Sequence, residues 1–174
     1  MKTAIYVFAP LLCIGVIVSA ADGSSSTPPA TIAIQISASP QVADRGKAIE
    51  VNIVVKNISS QMVPIWRSNG KDQAEISGYL VRVSGPHGRP VPKTRYYKIF
   101  TGEPVENMRP EENIHTSGGP TFSVQPGATL KDEFLLNRLF DLSTPETYSI
   151  QIERKDPVSG LPVKSNSIEV VVKP

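Results

Sequence analysis

The sequence predicts an all-β fold, an antiparallel β-sandwich of about seven to nine short strands. Three observations carry this. Apolar residues recur at every second position, most clearly Ile49, Val51, Ile53 and Val55, then Tyr148, Ile150 and Ile152, then Ile168, Val170 and Val172. Most of these residues are β-branched, which favours extended backbone over helix. Turn signals drawn from 16 prolines and 12 glycines interrupt the runs, at intervals of about eight to twelve residues. No stretch has the 3.6-residue period that crossover helices between parallel strands would need.

The 174 residues suffice for one ordinary domain. A hydrophobic fraction of 40% and a charged fraction of 20% allow a packed core. The net charge of +2 argues against a dedicated nucleic-acid binder, which needs a clustered basic surface.

The N-terminus reads as a signal peptide over residues 1–20. Lys2 precedes the apolar run Ala4–Val18, and Val18-Ser19-Ala20 supplies a cleavage site after Ala20. The run is short for a membrane anchor. Pro10-Leu11-Leu12 before Cys13 lacks the small residues of a lipobox. The expected location is secreted or periplasmic, with no membrane span after cleavage. Cys13 is the only cysteine, so the mature chain has none for disulfides, thiolate nucleophiles or cysteine-based zinc sites. Residues 21–30 form a polar Ser/Pro linker, and residues 31–174 the domain.

Within the domain, Ile32, Ile34 and Ile36 mark a first strand that Pro40 ends, followed by a turn at Asp44-Arg45-Gly46. Ile49 to Val55 form the second. Asn57-Ile58-Ser59 is formally a glycosylation sequon, but an ordinary polar turn is the expected reading. Met62–Arg67 is a third strand, with Pro64 indicating an edge. Its Trp66 is expected in the core, with a partner-facing ring as the alternative. Ser68–Gln73 is a loop. Tyr79, Val81 and Val83 make a fourth strand. Gly85–Pro90 then turns the chain into a hairpin, with Val91 starting the return and Gly88 suited to positive φ. Tyr96, Tyr97, Ile99 and Phe100 read as strand or structured loop. Thr101–Pro120 is irregular and long enough to suggest a functional or mobile loop. Thr121–Val124 and Leu130–Leu136 are strands around a turn at Gln125–Ala128, and Asn137–Phe140 fits one helical turn. Last come two alternating runs, Tyr148–Ile152 and Ile168–Val172. They form a hairpin around Asp156–Pro162, whose residues cannot extend a strand.

The segment Asp141-Leu142-Ser143-Thr144-Pro145-Glu146-Thr147-Tyr148-Ser149-Ile150 resembles the entry to strand F of bacterial immunoglobulin-like domains, where a Pro-Gly-x-Tyr corner precedes the strand. Glu146 replaces the glycine here. The resemblance implies a tyrosine corner, with the Tyr148 hydroxyl bonded to backbone upstream. Val124-Gln125-Pro126-Gly127 and Ser165-Asn166-Ser167-Ile168 resemble the same class. Thr31–Lys173 as a whole looks like a secreted immunoglobulin-like domain, broadly similar to the BsuPI-type proteinase inhibitor. That implies an immunoglobulin-like sandwich and assigns no activity.

Chemical motifs are scarce. His87 and His115 lie in expected loops without ligand-spaced partners. No nucleophile elbow, P-loop or dinucleotide fingerprint is present. The expectation is a non-enzymatic chain with no cofactor and no metal. Charge is segregated, however. Ile76–Gly102 contains no acid but holds Arg82, Arg89, Lys93, Arg95 and Lys98, with Tyr96 and Tyr97 among them. Glu103, Glu106, Glu111 and Glu112 follow at once. One reading is a basic aromatic surface, with Arg89, Arg95, Tyr96 and Tyr97 contacting a protein or cell-surface polymer. The other is internal, with the acidic loop folding back to neutralise the basic stretch. A proteinase inhibitor acting through Thr101–Pro120, and a small hydrolase using a histidine, are the alternative functions.

Overall fold

A computed structural model describes residues 29–66, 78–109, 112 and 121–174. The expected signal peptide, nearly all of the linker, the Ser68–Gln73 loop and His115 lie outside these residues.

The described chain forms ten strands and two short helices. They are β1 (Ile32–Ser39), β2 (Val42–Asp44), β3 (Glu50–Asn57), β4 (Val63–Trp66), β5 (Leu80–Ser84), α1 (Arg95–Phe100), β6 (Thr121–Val124), β7 (Thr129–Leu135), α2 (Leu136–Leu139), β8 (Thr147–Lys155), β9 (Pro162–Lys164) and β10 (Ile168–Lys173). One sheet has the order β1-β3-β7, and the facing sheet has the order β2-β10-β8-β5 with β9 on β8. β4 pairs with β6 in a ribbon that continues the β3–β7 ladder past the turns at its end. The order matches the A-B-E and C-F-G layers of an immunoglobulin-like sandwich. β2 is the edge strand running parallel to β10.

Alternation decides which residues become core. In β1 and β3 every second side chain is buried, Ile32, Ile34 and Ile36 against Val51, Ile53 and Val55. Tyr148, Ile150 and Ile152 of β8 close over them from the other layer. Each such aliphatic side chain contributes roughly 1.5–3 kcal/mol on burial. β2 and β9 were not expected, because three residues are too few for a period to register. Between β9 and β10 the register slips: three steps along β8 from Ile150 to Glu153 are matched by four from Ile168 to Lys164. The extra residue makes a bulge. There Ser165 donates its amide to the Ile152 carbonyl (2.8 Å), and its hydroxyl accepts from the Ile152 amide (2.9 Å).

The tyrosine corner is present. Tyr148 donates its hydroxyl to the Thr144 carbonyl at 2.7 Å. Tyr148→Phe is expected to cost about 1–2 kcal/mol in denaturant unfolding. A loss under about 0.5 kcal/mol would mean that packing alone holds the corner.

Three expectations need correction. First, the hairpin after β5 does not return as a strand. It closes with a single bridge between Ser84 and Pro90, over a 3-10 turn Pro86–Gly88 with Gly88 at φ 75°, and β5 takes β8 as its ladder partner instead. Second, Arg95–Phe100 is a helix despite its β-prone Tyr, Ile and Phe. Thr94 caps it by accepting from the Tyr97 amide at 3.2 Å, and Tyr96 stacks on Phe100 one turn later. Third, Trp66 is half-buried at the rim of the sandwich and does not join the core. No described helix is long and apolar enough to cross a membrane.

Candidate functional site

The basic stretch leaves β5 at the end of the sandwich where β8 begins. Its course is set by backbone pairing across to the end of α2. The Thr94 amide donates to the Leu139 carbonyl at 2.9 Å, and the Asp141 amide to the Pro92 carbonyl at 2.9 Å. The Thr94 hydroxyl donates to the Arg138 carbonyl at 2.6 Å. This strut fixes where α1 starts and therefore which way its side chains project.

Tyr97 projects inward. It is 2% exposed, meets Phe140 edge-on at 5.2 Å between ring centroids, and lies beneath the Lys93 ammonium. Burial pushes its phenol pKa up. A ring so enclosed cannot touch a partner, so the expected contact role of Tyr97 does not fit its position. Tyr96 is half-buried under the Arg138 guanidinium, 4.3 Å from its ring centroid. Arg89 pairs with Glu146 of the tyrosine corner, and Lys93 with Glu103.

Arg95 is the most heavily committed of these cations. Its Nε and Nη2 donate to the two carboxylate oxygens of Glu112 at 3.0 and 2.7 Å. Nη1 donates to the Glu106 carbonyl at 2.9 Å, and Nη2 also to the Asn107 carbonyl at 3.0 Å. Glu112 accepts in addition from the Arg109 amide at 2.9 Å. The Arg95 hydrogen bonds, with that amide, hold the Glu112 carboxyl at a pKa of about 2. The acidic loop therefore does fold back onto Lys93 and Arg95, the internal reading of the charge pattern. The consequence is a braced loop. Asn107 turns it with φ 51°, and Met108 stands out at its tip, 45% exposed. Arg109 next to that tip and Lys98 on α1 are exposed cations without a salt bridge among the described residues. The sequence reading passed over Met108 and Arg109, which lie within its irregular segment. Only the folded loop separates them from the cations that are spent internally.

His87 sits exposed in the 3-10 turn with φ 58°. The described residues include no group of three or more His, Cys, Asp or Glu placed to hold a metal ion.

The strand order, the tyrosine corner and the braced loop define an immunoglobulin-like sandwich module. No family model matches the chain, and no curated protein matches it. Among solved structures it is similar to the CARDB domain of the PF1109 protein from Pyrococcus furiosus in complex with di-metal ions. That likeness has 15% identity and a TM-score of 0.44, covering 83% of this chain and 94% of that one. It is also similar to the alkylpurine DNA glycosylase AlkC of Pseudomonas fluorescens bound to DNA containing an abasic site analogue. There identity is 12% and the TM-score 0.41, over 83% of this chain and 31% of the glycosylase.

Proposed function

We propose that this chain is an exported, non-enzymatic binding module that recognises a protein through α1 and the loop Glu103–Arg109. The observation that carries the reading is the Arg95 brace. One guanidinium holds Glu106, Asn107 and Glu112 together and leaves Met108, Arg109 and Lys98 outward. A loop ordered before binding loses less entropy on association, and methionine adapts to an apolar pocket. The exposed cations suit a partner surface that is acidic. A proteinase inhibitor acting through this loop would have to offer extended backbone. The left-handed Asn107 and the inward Glu106 and Asn107 carbonyls make the tip a knob instead.

A photo-cross-linking residue at position 108, tested in the native organism, should trap a partner that the same probe at Thr129 on β7 does not. Identical products from both positions would overturn the reading, as would none from either. Arg95→Lys should weaken capture roughly ten-fold, because an ammonium cannot replace the fork. The melting temperature should hold, since exposed pairs add little stability. Amide exchange in residues 103–109 should rise in the variant. In the native chain the protection of the Arg109 amide, taken relative to the unfolded exchange rate at each pH, should hold from neutral pH down past 4 and fall only as the pH nears 2, where the Glu112 carboxylate gains its proton.

A further inference from the structure

The opposite end of β8 carries a second feature, independent of the loop. A groove of about 680 Å³ opens there between the β4–β6 ribbon and the β5 and β8 strand ends. Pro64, Trp66, Tyr79, Leu80 and Pro157 supply its apolar walls. Its volume is that of a small-molecule site.

Arg154 lines the groove and is only 8% exposed. It follows Tyr148, Ile150 and Ile152 on the inward parity of β8. Its guanidinium stacks 4.7 Å over the Tyr79 ring and donates Nη2 to the Trp66 carbonyl. A guanidinium has five N–H donors, and no carboxylate among the described residues pairs with this one. Neighbouring Glu153 pairs with Arg82 at 3.5 Å. Asp132 takes the Tyr79 hydroxyl at 2.6 Å. Gly78 passes close by with φ 83°. A Cβ there would make only ordinary contacts, 3.6 Å from the guanidinium and 3.7 Å from the Trp66 ring, so it is the positive φ that favours glycine at this position. Lys155 adds a second cation to the lining, and Glu153, paired with Arg82, adds one carboxylate.

A buried cation lacking an ion-pair partner is costly unless an anion completes it. The planar fork suits a carboxylate bidentately, while proline, leucine and aromatic walls suit an apolar body. We propose that the groove binds a small carboxylate with an apolar or aromatic body, the guanidinium of Arg154 taking the carboxylate and Trp66 and Leu80 the body.

Trp66 is the only tryptophan in the chain, so its emission reports on the groove directly. Titration of the full chain with 3-phenylpropionate should give a saturable change in that emission. The neutral 3-phenylpropanamide should bind at least roughly ten-fold more weakly. Arg154→Lys should remove the preference for the acid. Should that buried replacement unfold the chain, Leu80→Glu provides the same test from an exposed position. It sets a repelling carboxylate at the mouth, and 3-phenylpropionate binding should drop roughly ten-fold. Met108→Ala should change nothing here, which separates this site from the loop. Equal binding of acid and amide, full binding by the Leu80→Glu chain, or no saturable change up to about 10 mM would overturn the proposal.

Discussion

Asp156→Ala is expected to remove about 3 kcal/mol or more from the stability of the domain. Asp156 is 1% exposed, and its carboxylate accepts four hydrogen bonds. Oδ2 takes the Thr31 amide at 2.6 Å and the Thr31 hydroxyl at 2.9 Å. Oδ1 takes the Val158 amide at 3.0 Å and the Ser159 amide at 2.9 Å. One side chain thus shapes the turn between β8 and β9 and anchors the start of β1, 125 residues away in sequence. Removing it takes the acceptor from four partly exposed donors at once, and at about 0.5–1.5 kcal/mol per hydrogen bond the losses add up. The denaturation midpoint should fall with its slope unchanged. A loss below about 1 kcal/mol would show that water replaces the carboxylate freely.

The same residue sets an acid limb. Burial alone would raise its pKa. The Ser159, Thr31 and Val158 amides and the Thr31 hydroxyl more than reverse this, to about 2. The unfolded value is about 3.9. A depressed folded pKa stabilises the fold above the unfolded value and loses that stabilisation as the pH falls through the folded one. Unfolding free energy should therefore decline between about pH 4 and pH 2, by about 2 kcal/mol from this group. Asp156→Asn should flatten that part of the profile.

Asn57→Asp should cost about 3–5 kcal/mol. Asn57 ends β3 with no exposed surface. Its Nδ2 donates both protons, to the Gln61 carbonyl at 2.7 Å and the Val124 carbonyl at 2.8 Å. Its Oδ1 accepts from the Ser59 amide at 2.9 Å and the Ser59 hydroxyl at 2.8 Å. The amide thereby ties the β3–β4 turn to the β6–β7 turn. Aspartate offers lone pairs where two carbonyls need donors, and it places a charge in a site without a cation among these contacts. Thermal unfolding should show the loss at neutral pH and part of it restored in acid, where the carboxyl regains a proton. Equal stability of the two chains at pH 7 would refute this. The same bonds dispose of the sequon. An amide with both protons committed and no exposed surface has nothing to offer a glycan while folded.

Much of the fold was legible because a period of two is a local property. The parity of Ile49 to Val55 and of Tyr148 to Val172 names the buried face without any knowledge of what covers it. Parity also held a signal that was not used. Arg154 and Asp132 fall on the inward side of β8 and β7, the positions of two buried ionisable groups. Trp66 was misplaced because it shares the outward parity of exposed Pro64 in β4, whose inward positions are Val63 and Ile65. The helix at Arg95–Phe100 was illegible for another reason: a six-residue element is decided by its cap and its contacts, which outweigh the β preference of its own residues.

From the order of its residues alone, this protein is an all-β chain with alternating apolar strips, a tyrosine corner and a segregated block of charge. Which charges are free to meet a partner was decided in three dimensions. Arg95 and Glu112 lie 17 positions apart, and composition cannot say whether such residues face each other or the solvent. Pairing depends on where the strut at Pro92–Thr94 aims the helix. The same holds at the far end, where Trp66, Tyr79 and Arg154 become one groove only after two sheets have packed.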